Sequence, residues 1–77
     1  MNVADFFSRY KDELLEVTQR KVKRSGLMIQ TPGQIFDQVV FAVQEECHHA
    51  DEDFLRNAFN RMLKQIIIYW LNIEDKV

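Results

Sequence analysis

The run Glu45-Glu46-Cys47-His48-His49 is the densest group of ligating and nucleophilic side chains in the chain. On a helix, residues three apart share a face, so Glu46 lies beside His49 and Glu45 beside His48. A Glu-x-x-His pair is half of the ligand set of a di-iron carboxylate centre. A second copy of the chain would supply the other half, with Glu13 or Glu16 of the first helix added. A metal-binding helical dimer using Glu46 and His49 is therefore the third-ranked reading. The competing view is a solvated helix end, where histidine is favoured by the helix dipole. Cys47 and His48 are adjacent and point about 100° apart around a helix, which does not set a base against a nucleophile. Cys47 also continues the apolar stripe of Phe36, Val40 and Val43, as a packed thiol does. One cysteine and two adjacent histidines do not make a tetrahedral zinc set. The hydroxyls of Ser8, Ser25, Thr18, Thr31, Tyr10 and Tyr69 fall in no catalytic motif, and there is no Gly-rich phosphate loop. The expectation is a non-enzymatic protein with no cofactor and no small-molecule substrate.

Charge is unevenly distributed. Ten Lys/Arg and twelve Asp/Glu give a net charge of −2. Arg20, Lys21, Lys23 and Arg24 form one basic cluster. Between residues 27 and 55 there is no Lys or Arg, while Asp37, Glu45, Glu46, Asp51, Glu52 and Asp53 are acidic. The basic cluster can contact phosphates with a salt-dependent gain. It can equally be a solvated helix end that complements the dipole. A generic nucleic-acid coat is basic overall, and this chain is not.

Three helices have to position these groups. Both glycines and the one proline lie between residues 26 and 33, which marks a single clear break. Before it, Val3, Phe7, Tyr10, Leu14 and Val17 recur at helical spacing, broadened by Phe6, Leu15 and Val22. Asn2 is placed to cap this helix, over residues 3–24, and Gly26 to end it in the left-handed conformation. Thr31-Pro32-Gly33-Gln34 reads as an N-cap, a first-turn proline and a capping box. The second helix then runs over 32–49, with Phe36, Val40, Val43, Cys47 and Ala50 on one stripe and Phe41 off it. The third helix, over 52–73, begins at the acids Asp51, Glu52 and Asp53, which favour a helix start. It carries two apolar stripes: Leu55, Phe59, Met62, Ile66, Tyr69 and Ile73, then Phe54, Ala58, Leu63, Ile67 and Trp70. Residues 66–71 are apolar around the whole circumference; a buried strand is the competing reading there.

The fold class expected is all-α, one small helical bundle spanning 1–77. A chain of this length buries only about 60% of the surface its unfolded form exposes. With Cys47 its only cysteine, no internal disulfide can reinforce it. The third helix carries more apolar surface than two neighbours cover, so a homodimer is the expected completion.

Residues Leu27, Met28, Ile29, Gln30, Thr31 and Pro32 alternate as a short strand does, and two helices follow, the second with Phe54-Leu55-Arg56-Asn57-Ala58-Phe59. This order resembles the ribbon-helix-helix DNA-binding family over roughly residues 27–63. The resemblance implies a strand that pairs with its dimer mate in the major groove, with Met28 and Gln30 toward the bases and Leu27 and Ile29 toward the core. The chain departs from the family at Thr31, where an apolar residue is usual, and in having no Gly between the helices.

The leading functional expectation is a small protein-binding module, a regulator, adaptor or inhibitor. Its partner-binding residues would be Phe41, Glu45, Glu46, Asp51, Glu52, Ile67, Ile68, Trp70 and Leu71. The acidic ones would meet a basic surface such as a nucleic-acid-binding cleft. The alternative is a dimeric nucleic-acid-binding regulator using Arg20, Lys21, Lys23, Arg24, Met28 and Gln30. No apolar run approaches the roughly 20 residues a membrane span needs, and the start lacks the pattern of a secretory signal. A cytoplasmic location is expected.

Overall fold

The computed structural model describes residues 1–76. Three helices pack against one another: α1 (Val3–Ser25), α2 (Pro32–Glu46) and α3 (Glu52–Lys76). The all-α expectation holds. The body they form measures 40 × 21 × 16 Å.

Each helix boundary has a local cause. Asn2 is extended, and its side-chain oxygen accepts from the Ala4 amide at 2.7 Å. Gly26 ends α1 at φ 79°, and a Cβ placed there would meet nothing within 4 Å. The cost of a side chain at Gly26 is therefore purely conformational, about 1 kcal/mol for the left-handed region. Gly26→Ala is expected to lower stability by that amount in urea denaturation; an unchanged midpoint would contradict it. At α2, the Thr31 hydroxyl accepts from the Gln34 amide at 3.1 Å, while the Gln34 side chain accepts from the Thr31 amide at 2.8 Å. This is the reciprocal capping box, with Pro32 behind it. Thr31→Ala is expected to cost about 1 kcal/mol, again read from a denaturation midpoint.

Two expected boundaries shift. α2 stops at Glu46 and not at residue 49, because the chain after it pairs with the N-terminus. The Val3 amide donates to the His48 carbonyl at 3.1 Å and the Ala50 amide to the Met1 carbonyl at 3.0 Å. Asn2 and His49 form an antiparallel bridge. The backbone groups of residues 48–50 thus find partners outside a helix, and Cys47 is already extended. α3 runs three residues beyond the expected end, and residues 66–71 are helical, not strand. The short strand of the alternative reading, over residues 27–32, does not form: residues 27–31 are a connection without regular structure and Pro32 opens α2. Leu27 is buried there, but Ile29 is exposed, so the alternation does not sort the side chains between two faces.

The core is built around three phenylalanines, one from each helix. Phe7, Phe36 and Phe59 have ring centroids 6.1–6.3 Å apart. Such tilted and edge-on pairs add to the burial of the rings themselves. Phe6, Ile35, Val39, Val43, Leu55 and Leu63 are fully buried around them. Thr18 is buried too, and its hydroxyl donates to the Leu14 carbonyl at 2.8 Å, which satisfies it. Tyr10 has non-helical dihedrals (φ −111°, ψ 16°). Beyond this kink the buried positions of α1 are Leu14, Thr18 and Val22, while Val17 is half-buried.

Candidate functional site

The apolar surplus of α3 sorts onto two sides. Ile67 is buried, and Trp70 is half-buried with its indole N–H donating to the Gln38 side chain of α2 at 2.7 Å. Both are therefore held within the fold. Ile68 and Tyr69 are left largely exposed, 47% and 59%. Phe54 near the start of α3 and Phe41 on α2 are exposed as well.

Ile67, Ile68 and Leu71 share an open groove of about 700 Å³ between α3 and the C-terminal part of α1. On a helix these positions, with Asn60, Arg61 and Lys64 preceding them by three to eleven residues, fall on one side. The opposite wall is Lys21, Arg24 and Ser25 of α1. Four cations thus rim an aliphatic floor, and no carboxylate lines it. Arg61 is tied to Glu46 of α2 at 2.6 Å. Among the described residues, Lys21, Arg24 and Lys64 take part in no ion pair.

A different arrangement closes the N-terminal part of the α1–α3 seam. The Arg56 guanidinium pairs with Glu13 at 3.0 Å and Glu52 at 3.3 Å, and lies 4.5 Å from the Tyr10 ring centroid. The Tyr10 hydroxyl donates to Glu52 at 2.6 Å. That bond first, then Arg56, holds the Glu52 carboxyl below the usual carboxylate range. A depressed pKa in the folded state means that stability from this carboxylate is present above the unfolded-state pKa. It is lost as the pH falls through the lower folded-state value. Tyr10→Phe is expected to move the Glu52 pKa upward in a carboxyl NMR titration; an unmoved pKa would contradict the assigned cause.

The residues proposed from sequence divide accordingly. Ile67, Ile68 and Leu71 meet Lys21 and Arg24 in the groove, which joins part of the partner-binding set to part of the nucleic-acid set. Glu46 and Glu52 are engaged inside the chain by Arg61 and by Tyr10 with Arg56. Glu45 and Asp51 are exposed. Phe41 and Glu45 line a separate cleft of about 400 Å³ beside Asn2, Cys47 and His48. Arg20 faces a small surface hollow with Lys21 and Arg24, and Lys23 is exposed. Met28 is 84% exposed at the tip of the α1–α2 connection. Gln30 accepts from the Gln38 amide at 2.9 Å and so is turned toward α2. With no strand to carry Met28 and Gln30, the ribbon-helix-helix geometry is not formed among the described residues.

The Glu46–His49 pairing is also lost. It required one continuous helix face, and His49 lies outside α2 in the bridge to Asn2. No group of three His, Cys, Asp or Glu side chains among the described residues is arranged to hold a metal ion. Cys47 is half-buried, with its thiol toward the Val43 carbonyl at 3.8 Å. Lys64, Arg61, Asn60 and Ser25 were not singled out from sequence. Only Lys64 carried a usable signal, since it precedes Ile67, Ile68 and Leu71 by three, four and seven residues.

No family model matches the chain, and no curated protein or solved structure matches it. No helix among the described residues is long and apolar enough to cross a membrane.

Proposed function

We propose that this protein is a small, non-enzymatic docking module that acts by binding another protein through the groove between α1 and α3. The observation that carries this reading is the aliphatic floor of exposed Ile68 and half-buried Leu71, continuous with buried Ile67, among cations of α1 and α3. Exposed apolar surface in a concave site gains free energy when a partner covers it, whereas it contributes nothing to the isolated fold. A regulator, adaptor or inhibitor working in the cytoplasm fits this mode of action.

A homodimer is a less favourable use of the same groove. A two-fold contact sets the same patch against itself. That would bring Lys21, Arg24 and Lys64 of one copy against those of the other, and like-charge juxtaposition opposes association. The partner of the groove is therefore a different protein. Nucleic acid is the second reading, supported by the convergence of the same cations from two helices. The aliphatic floor argues against it, since single-stranded binding uses aromatic platforms and duplex binding uses polar contacts to phosphates.

The test is capture from host lysate with the tagged chain and its Ile68→Asp variant, each with and without nuclease. A stoichiometric protein retained by the natural sequence after nuclease, and lost by the variant, is the expected result. Nucleic acid in the eluate, with all partners lost on digestion, would replace this reading by the second.

A further inference from the structure

We infer that the occupant of the α1–α3 groove is an acidic amphipathic helix of about three turns, contributed by the partner protein. The inference rests on the docking reading above and specifies its ligand. Length comes first. The α3 wall runs from Asn60 to Leu71, about 16 Å at the helical rise, which matches three turns of a ligand helix lying along it. Shape comes second. The floor is aliphatic and the walls come from two separate helices, so the site is a trough that takes the apolar stripe of a single helix, with anchors at i, i+3 or i+4, and i+7.

Charge decides the class of helix. Lys21 and Arg24 of α1 and Arg61 and Lys64 of α3 all line the groove, so a ligand's stripe meets cations contributed by both helices. Lys21, Arg24 and Lys64 have no ion-pair partner among the described residues. A ligand carrying Asp or Glu beside its apolar stripe pairs with them, and a basic ligand meets repulsion. A lipid surface shares the negative charge and the apolar interior. It favours one amphipathic helical face, however, whereas the lining here is contributed by two separate helices.

The test pans a displayed library of peptides about 16 residues long against the full chain, then measures selected peptides by fluorescence anisotropy. Enriched peptides are expected to place Leu, Ile or Phe at the anchor spacing with Asp or Glu on either side. Their affinity should fall about 100-fold for the variant Lys21→Glu/Arg24→Glu/Lys64→Glu, and weaken as salt is raised. Lys64→Gln, which removes one charge without introducing another, should give an intermediate loss and guards against misfolding of the triple variant. Neutral or basic peptides that bind and are lost on Ile68→Asp would overturn the acidic assignment and leave the docking reading standing. If no peptide sensitive to Ile68→Asp emerges, both fall. The same holds if phosphatidylglycerol vesicles or duplex DNA bind in a Lys64-dependent way where peptides do not.

Discussion

Phe59→Ala is expected to leave the chain without a cooperative unfolding transition. The ring is fully buried and touches the Phe7 and Phe36 rings, so its removal disturbs contacts with both other helices. Truncating a buried phenylalanine costs about 3–5 kcal/mol, the lost transfer energy plus the cavity left behind. A single core in a chain this short rarely supplies more than about 3–5 kcal/mol in total. The two quantities are equal in size, so the variant should populate unfolded molecules even without denaturant. Far-UV circular dichroism in urea checks this. A sigmoidal transition with an unchanged slope, shifted only slightly, would show that the three-ring centre does not carry the fold.

The second large effect separates two neighbours. Ile67 and Ile68 are identical in chemistry and adjacent in sequence, but a helix turns them about 100° apart. Ile67 is 7% exposed and Ile68 47%. Ile67→Asp forces a carboxylate against the core, where an unpaired charge costs several kcal/mol or holds the group neutral. That variant should not fold at neutral pH. Ile68→Asp places its charge in solvent and among cations, so its thermal midpoint should stay within a few degrees of the natural chain. It should nonetheless lose the partner. If both variants melted alike, the exposed and buried sides of α3 would not be divided as described.

Much of this architecture could be read from the residues. Thr31, Pro32 and Gln34 announced the start of α2 because cap chemistry is local. Asn2 and Gly26 did the same for α1. The end of α2 could not be read, because it is set by hydrogen bonds to Met1 and Val3, almost fifty residues away in the chain. Thr18 was missed as a core residue because its hydroxyl is satisfied by its own helix, which lets a polar residue take a buried place. The expected stripe of α1 holds at Leu14 and Val22, and Val17, next to buried Thr18, is half-buried at its edge.

The site was half legible for the same reason. The excess of apolar residues at 66–71 is a sequence property, and so is the basic cluster at 20–24. That the two form one groove depends on α1 and α3 lying side by side, which no spacing within either helix encodes. Two of the acidic residues are engaged inside the chain in a way that spacing does not announce. Glu46 and Glu52 read as free surface charges, yet Arg61 and Arg56, each on α3, neutralise them within the chain. The unpaired charge that lines the α1–α3 groove is positive, so the proposed docking reading takes a ligand of opposite sign to the basic surface expected from the acidic residues.

The most direct measurement is an isoleucine- and leucine-methyl NMR spectrum of the full chain, recorded before and after adding the captured partner protein. The methyl signals of Ile67, Ile68 and Leu71 are expected to move or broaden. Those of Ile35 in the core and Ile29 at the α1–α2 connection should stay in place. Shifts centred on Ile29, or on none of the groove methyls despite saturating partner, would contradict the claim that the groove between α1 and α3 is the docking surface.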